Sequence, residues 1–122
     1  MRDLIISLIL FIIMIGIITG NAIFVLGGVD ELIVAVESIP DINAADCEKR
    51  IGELRLYWRD FKRIARLTLS YTELNRMECL IEEMECHRST KNVNDFEHSK
   101  VMMINLLREM ARLEKISLGG VV

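Results

Sequence analysis

The sequence predicts an all-α protein, with one N-terminal transmembrane helix followed by a small antiparallel bundle of about three helices. Three observations carry that class. Between Asp3 and Asp30 no residue is charged, which leaves 26 uncharged positions, Leu4–Val29, in a chain of 122. Further on, apolar residues recur at alternating spacings of three and four, the period of a helix that buries one face. No later segment is rich in β-branched alternation, so nothing asks for a sheet.

A helix rises about 1.5 Å per residue, so the uncharged run reaches roughly 39 Å, whereas about 20 apolar residues cross a hydrocarbon core of about 30 Å. A buried core helix is disfavoured, because the roughly 90 residues that remain form one small domain and cannot wrap a segment apolar on every face. A cleaved signal peptide draws support from Gly20-Asn21-Ala22, which sets small residues where a signal peptidase reads. Against cleavage, the chain continues Ile23-Phe24-Val25-Leu26, an odd start for a soluble mature protein. The expected division is an uncleaved signal-anchor over 1–29 and an extracytoplasmic helical domain over 30–122. Basic residues near a span set its orientation. Arg2 and the α-amino group stand on one side, while the other side has no Lys or Arg before Lys49 and accumulates Asp30, Glu31, Glu37 and Asp41. A single-pass protein of the cell membrane is expected, with its N-terminus cytoplasmic and its C-terminal domain outside. Within the run, Gly16 and Gly20 have the GxxxG spacing that lets two membrane helices approach, and they form a candidate dimer seam. Glycine is common in membrane helices, so chance gives the same spacing. Asn21 beside it is able to bond across such a seam or to sit near the interface.

After the run, Val29–Ile39 has no breaker and extends the anchor helix outward until Pro40 ends it. Asn43 is the expected N-cap of the next helix, with Asp46 in its first turn. Cys47, Ile51, Leu54, Trp58, Phe61, Ala65 and Thr68 form that helix's buried stripe, widened by Tyr57 and Ile64. Ser70-Tyr71-Thr72-Glu73 matches the capping box, so a new helix starts there, striped by Leu74, Met77, Ile81 and Met84. Arg88–Asn94 reads as a polar loop. Asp95 is the expected cap of a last helix striped by Phe96, Ser99, Met103, Leu106, Met110 and Leu113, with Gly119-Gly120 as its stop.

The net charge of −3 gives no electrostatic case for nucleic acid. The helix from Ala44 to Leu69 is rich in Lys and Arg and the next is rich in Glu, a complementarity that selects their antiparallel pairing. A basic stripe also suits anionic lipid headgroups, but its interleaved acids favour a solvated, intramolecular role. Cys47 falls in a buried stripe and behaves as a small hydrophobe. Cys79 and Cys86 stand two turns apart, about 10 Å, too far for a disulfide within one helix. They are candidate intermolecular thiols, unless they face a partner helix or the compartment is reducing. Cys79, Cys86 and His87 match no familiar metal-ligand spacing, so no metal is expected. His87 and His98 fall on different elements, and HExxH, GxSxG and phosphate-binding glycine loops are missing from the sequence. No catalytic residue, no cofactor and no enzymatic activity are expected.

The order of features resembles a family of short proteins of Gram-positive anaerobes grouped as a domain of unknown function. The carrying residues are Asp30-Glu31-Leu32-Ile33, then Trp58 and Phe61, then Tyr71-Thr72-Glu73-Leu74 leading to Glu78 and Ile81, and finally Leu107, Glu114, Ser117 and Leu118. The resemblance implies an N-terminal membrane anchor and a helical domain ending in a leucine-rich helix, and it brings no catalytic or ligand residues. The chain departs from it in its three cysteines and arginine-rich middle helix. The expected function is that of a membrane-anchored helical interaction or assembly protein of the cell envelope, acting with a protein partner or as a homodimer. The alternatives are a small-ligand or lipid-sensing helical domain, and a secreted helical protein if the segment is cleaved. A pocket among Trp58, Phe61, Met77, Met84, Met103 and Met110 would mark sensing, and a solid core there would mark assembly.

Overall fold

The computed structural model describes residues 1–67 and 69–121, the last five of these by backbone alone. Four helices follow in order, α1 (Arg2–Glu37), α2 (Cys47–Ala65), α3 (Tyr71–Ser89) and α4 (Val93–Val121), and no strand occurs among the described residues. α1 is unbroken over 36 residues, about 54 Å at a helical rise of about 1.5 Å. It has two halves. No residue from Met1 to Gly20 is buried, whereas Asn21, Ala22, Val25, Val29, Leu32 and Val36 point into the core. The helix therefore does extend outward past Val29, as its sequence predicts, and its second half becomes a fourth member of the bundle. It stops at Glu37, with Ser38 as C-cap and Pro40 just beyond.

The helices run antiparallel in sequence order. Phe61 lies against Phe24 and Gly28, and Lys100 Nζ donates to the Ile39 carbonyl at 2.7 Å, which set α2 and α4 antiparallel to α1. α1 packs on α2 and α4, α3 packs closely on α4, and α2 and α3 are the most loosely packed of the adjacent pairs. α1 and α3 thus stand diagonally. The α2–α3 turn lies at the end from which α1 protrudes, and the loops at Ser38–Asp46 and Thr90–Asn92 close the other end.

Cys47, Ile51, Leu54, Trp58, Phe61 and Ala65 are all buried on α2, as are Leu74, Met77, Ile81 and Met84 on α3. Thr68, the next member of the α2 stripe, lies outside the described residues. Tyr57 and Ile64 do not widen that stripe: they are 57% and 38% exposed, at the edge of the buried face. On α4 the stripe Phe96, Ser99, Met103, Leu106 and Met110 is buried and Leu113 is half-buried. Leu107 and Glu114 join it, because a helix packed between α1 and α3 must bury a broader face.

Helix ends differ from expectation in four places. α2 starts at Cys47 with Asp46 as N-cap, not at Asn43, because a turn closed by Ala44 N–H to the Asp41 carbonyl (2.9 Å) takes up the intervening residues. Ser70 does stand at the N-cap of α3, in extended backbone, but its hydroxyl makes no cap bond. α4 begins at Val93. Asn92, not Asp95, is its cap: Asn92 Oδ1 accepts from Asp95 N–H at 3.2 Å, and Asn92 Nδ2 donates to Asp95 Oδ2 at 2.7 Å. The α4 backbone stays helical through Gly119-Gly120 to Val121, past the expected stop. α3 closes in a Schellman motif, with Asn92 N–H on the His87 carbonyl (2.9 Å) and Lys91 N–H on that of Arg88 (3.2 Å). Lys91 supplies its left-handed residue, at φ 56°.

Candidate interaction surface

The side of α1 opposite its buried residues is uncovered along its whole length. At about 100° per residue, Gly16, Gly20, Ile23, Gly27 and Val34 fall within an arc of about 60°, and all five are exposed. A Cβ added at Gly16, Gly20 or Gly27 would meet nothing within 4 Å. The candidate seam at Gly16 and Gly20 thus lies open on the protruding half and continues down the bundle.

Beside that face runs a groove of about 400 Å³ between α1 and α2, with Ile23, Phe24, Gly27, Tyr57 and Phe61 as apolar lining and Glu31 and Asp60 as its acids. Its floor follows from one glycine. A Cβ at Gly28 would approach Phe61 Cδ2 to 2.6 Å, so only a bare Cα lets the ring lie on α1. Phe61 is then stacked on Phe24 with ring centroids 6.4 Å apart and tilted against Trp58 at 5.6 Å. Sequence spacing placed Phe61 in a buried stripe but gave no sign that it would meet Gly28.

Charge bridges the loosely packed α2–α3 pair, as the composition of the two helices predicts. Arg55 reaches Glu82 at 2.8 Å and Glu85 at 3.9 Å, Lys62 pairs with Glu78, and Arg88 joins Glu85 at 2.8 Å and Glu48 at 4.0 Å. The hydrogen bond from Arg55 holds the Glu82 carboxyl below the usual carboxylate range, and the pair raises Arg55 in turn. A gap between α2 and α3 beside Trp58 and Ile81 is rimmed by Arg55, Glu78 and Glu82.

The cysteines divide as their helix positions suggest. Cys47 is buried, and burial pushes its thiol up, while Cys79 and Cys86 are free and exposed on α3. Because α3 stands diagonally to α1, these thiols and the Gly16–Gly20 face point to opposite sides. One two-fold contact cannot use both. His87 is half-buried on α3 and His98 exposed on α4, and the structure does not bring them together. No group of three metal-ligating side chains is found among the described residues. Glu114 is buried at 2% exposure, one turn past Met110. Continuing the apolar stripe by one step would have found the position, though not a carboxylate in it.

Met77, Met84, Met103 and Met110 are fully buried in one core with Trp58 and Phe61. The four methionines line none of the surface grooves, whereas Phe61 floors the α1–α2 groove and Trp58 edges the α2–α3 gap. Among the described residues one helix, α1, is long and apolar enough to cross a membrane. No family model, curated protein or solved structure matches the chain.

Proposed function

We propose that the chain is a membrane-anchored helical interaction and assembly protein of the cell envelope, anchored by the first half of α1 and binding through its uncovered face and the adjoining groove. The observation that carries this reading is the two-faced α1. Its first half exposes an unbroken apolar surface that water would not tolerate on a monomer, and its second half is a core element of the bundle. Copies of this chain are the simplest partner, because Gly16 and Gly20 leave room for a second helix backbone. The solid methionine core supports contact over ligand sensing. The resemblance to the anchored family of unknown function is in keeping with an anchor and adds no activity.

Energy transfer between differently labelled copies in lipid vesicles tests assembly. Transfer above the random-encounter level is expected, and Gly16→Leu with Gly20→Leu is expected to reduce it. Transfer that never exceeds the random level rules out self-assembly. Cleavage at Gly20-Asn21-Ala22, the secreted reading, is tested by the mass of the protein recovered from cells; an intact chain excludes it.

The sequence favours the N-terminus inside and the bundle outside. A specific observation favours the reverse: three free cysteines suit a reducing compartment, and exposed Arg63 and Arg66 stand beside the exit of α1. Labelling of Cys79 by a membrane-impermeant maleimide in intact cells indicates the bundle outside, and labelling only after lysis indicates it inside.

A further inference from the structure

The two ends of the bundle differ in how far they expose the apolar residues of their loops, Val93 at the far end being 43% exposed. At the far end Ile39 and Ile42 are buried, and Ser38, Asp41, Asn43 and Asp46 face solvent. At the end where α1 emerges, Leu69 is buried but Leu67 and Tyr71 are 70% and 77% exposed. Single exposed apolar side chains are ordinary. Here two of them share one turn, and that turn has a fixed height on α1. Phe61 lies between the levels of Phe24 and Gly28. Four residues further along the antiparallel direction, about 6 Å at about 1.5 Å each, α2 ends at Ala65 near the level of Ala22, and Leu67 follows in the turn at the end where α1 leaves the bundle.

Charge at this end has a matching arrangement. Arg63 and Arg66 are exposed and have no ion pair among the described residues, unlike Arg55, Lys62 and Arg88 deeper along the same helix pair. Exposed Arg76 and Lys115 stand on the neighbouring α3 and α4. An amphipathic Tyr, an aliphatic tip and unpaired guanidinium groups beside an apolar helix are what a headgroup layer accommodates: the ring at the boundary, the alkyl chain below, and cations on phosphate.

We propose that the α2–α3 turn is a second membrane contact, with Leu67 and Tyr71 seated in the headgroup layer beside the exit of α1 and Arg63 and Arg66 bound to the phosphates of anionic lipid. The contact rests on the reading of α1 as an anchor. It adds that the bundle lies against the bilayer surface.

The full chain in bilayer nanodiscs tests it. In a Cys79→Ser, Cys86→Ser background, nitroxide labels are attached at Ile12→Cys in the apolar run, at Leu67→Cys, and at Ala45→Cys in the far loop, with circular dichroism checking that each variant keeps its helix. Accessibility to oxygen and to a water-soluble nickel complex is then read in phosphatidylcholine and in phosphatidylcholine with about 30 mol% phosphatidylglycerol. Nickel accessibility at position 67 is expected to be several-fold below that at position 45 in the anionic bilayer. It is expected to rise when Arg63→Gln and Arg66→Gln are added or the anionic lipid is left out. A shielded label at position 12 with a fully aqueous one at 67 overturns the contact and leaves the anchor standing. Aqueous labels at both positions overturn the anchor and the contact together. Shielding at 67 that ignores both the arginines and the lipid charge overturns the phosphate contact.

Discussion

Gly28 and Gly52 both sit inside helices, and the structure assigns them opposite responses to the same substitution. A Cβ at Gly28 would lie 2.6 Å and 2.9 Å from two ring carbons of Phe61, a ring already held by Phe24 and Trp58, while one at Gly52 meets nothing within 4 Å. Overpacking a core costs about 1–3 kcal/mol, and alanine gains about 1 kcal/mol over glycine within a helix. Gly28→Ala is therefore expected to lower the thermal midpoint of the chain in detergent micelles and Gly52→Ala to raise it, as followed by circular dichroism. Equal rises at both positions would contradict a fixed Phe61 ring. Lys91, in the left-handed conformation at the end of α3, bears a strain that glycine lacks. Lys91→Gly is expected to stabilise by about 1 kcal/mol in the same measurement. Cys47 should resist alkylation at neutral pH until the chain unfolds, whereas Cys79 and Cys86 react in the native state, a difference that mass spectrometry of labelled protein reads directly. Residues whose environment depends on their own helix face, such as Cys47 and Met77, were legible from spacing. Gly28 was not, because its constraint comes from a ring far along the chain.

Individual helices are where sequence spoke most clearly and where charge decides pairing. Apart from Tyr57 and Ile64, every described stripe position named on α2 and α3 is buried, because each helix needs only a narrow apolar face and the period of 3.6 exposes it. The broader face of α4 exceeds a narrow stripe, since two neighbours cover it. Caps were less legible: the turn at Asp41–Ala44 takes up residues that spacing alone assigns to the start of α2, and Asn92 starts α4 before the expected cap Asp95, inside the stretch that reads as a loop. Between α2 and α3 a double-mutant cycle on Lys62 and Glu78 is expected to yield a coupling of about 0.2–1 kcal/mol, as for other half-exposed pairs. Glu82 gives that pairing a pH dependence. Its folded pKa lies below its unfolded value, so its contribution is complete above the ordinary carboxylate range, about 4.3, and is lost as pH falls through the lowered folded value. Glu82→Gln should accordingly destabilise near neutral pH and have no effect in strong acid, as denaturant midpoints at the two pH values would report.

At the scale of the molecule, the division that matters falls inside α1, at the step from Gly20 to Asn21 where burial begins. Composition could not place it, since the residues on both sides are uncharged and only the approach of α2 and α4 tells them apart. Deleting residues 2–20 is expected to leave a helical chain that unfolds cooperatively. Deleting 2–29 removes Ala22, Val25 and Val29 from the core, and each fully buried valine is worth about 1.5–3 kcal/mol. A chain cut at that second point should lose its cooperative transition, and an unchanged transition would show the second half of α1 to be dispensable.

The continuity of α1 has a mechanical consequence. No linker separates the protruding half from the bundle, so the bundle has no swivel: it tilts and turns with the rod from which it is built. Whatever grips the first twenty residues fixes the bearing of every surface below them, including the groove floored by Phe61. A neighbour that rolled the rod by one residue's worth of arc, about 100°, would swing that groove from one side of the molecule to another without breaking a single core contact.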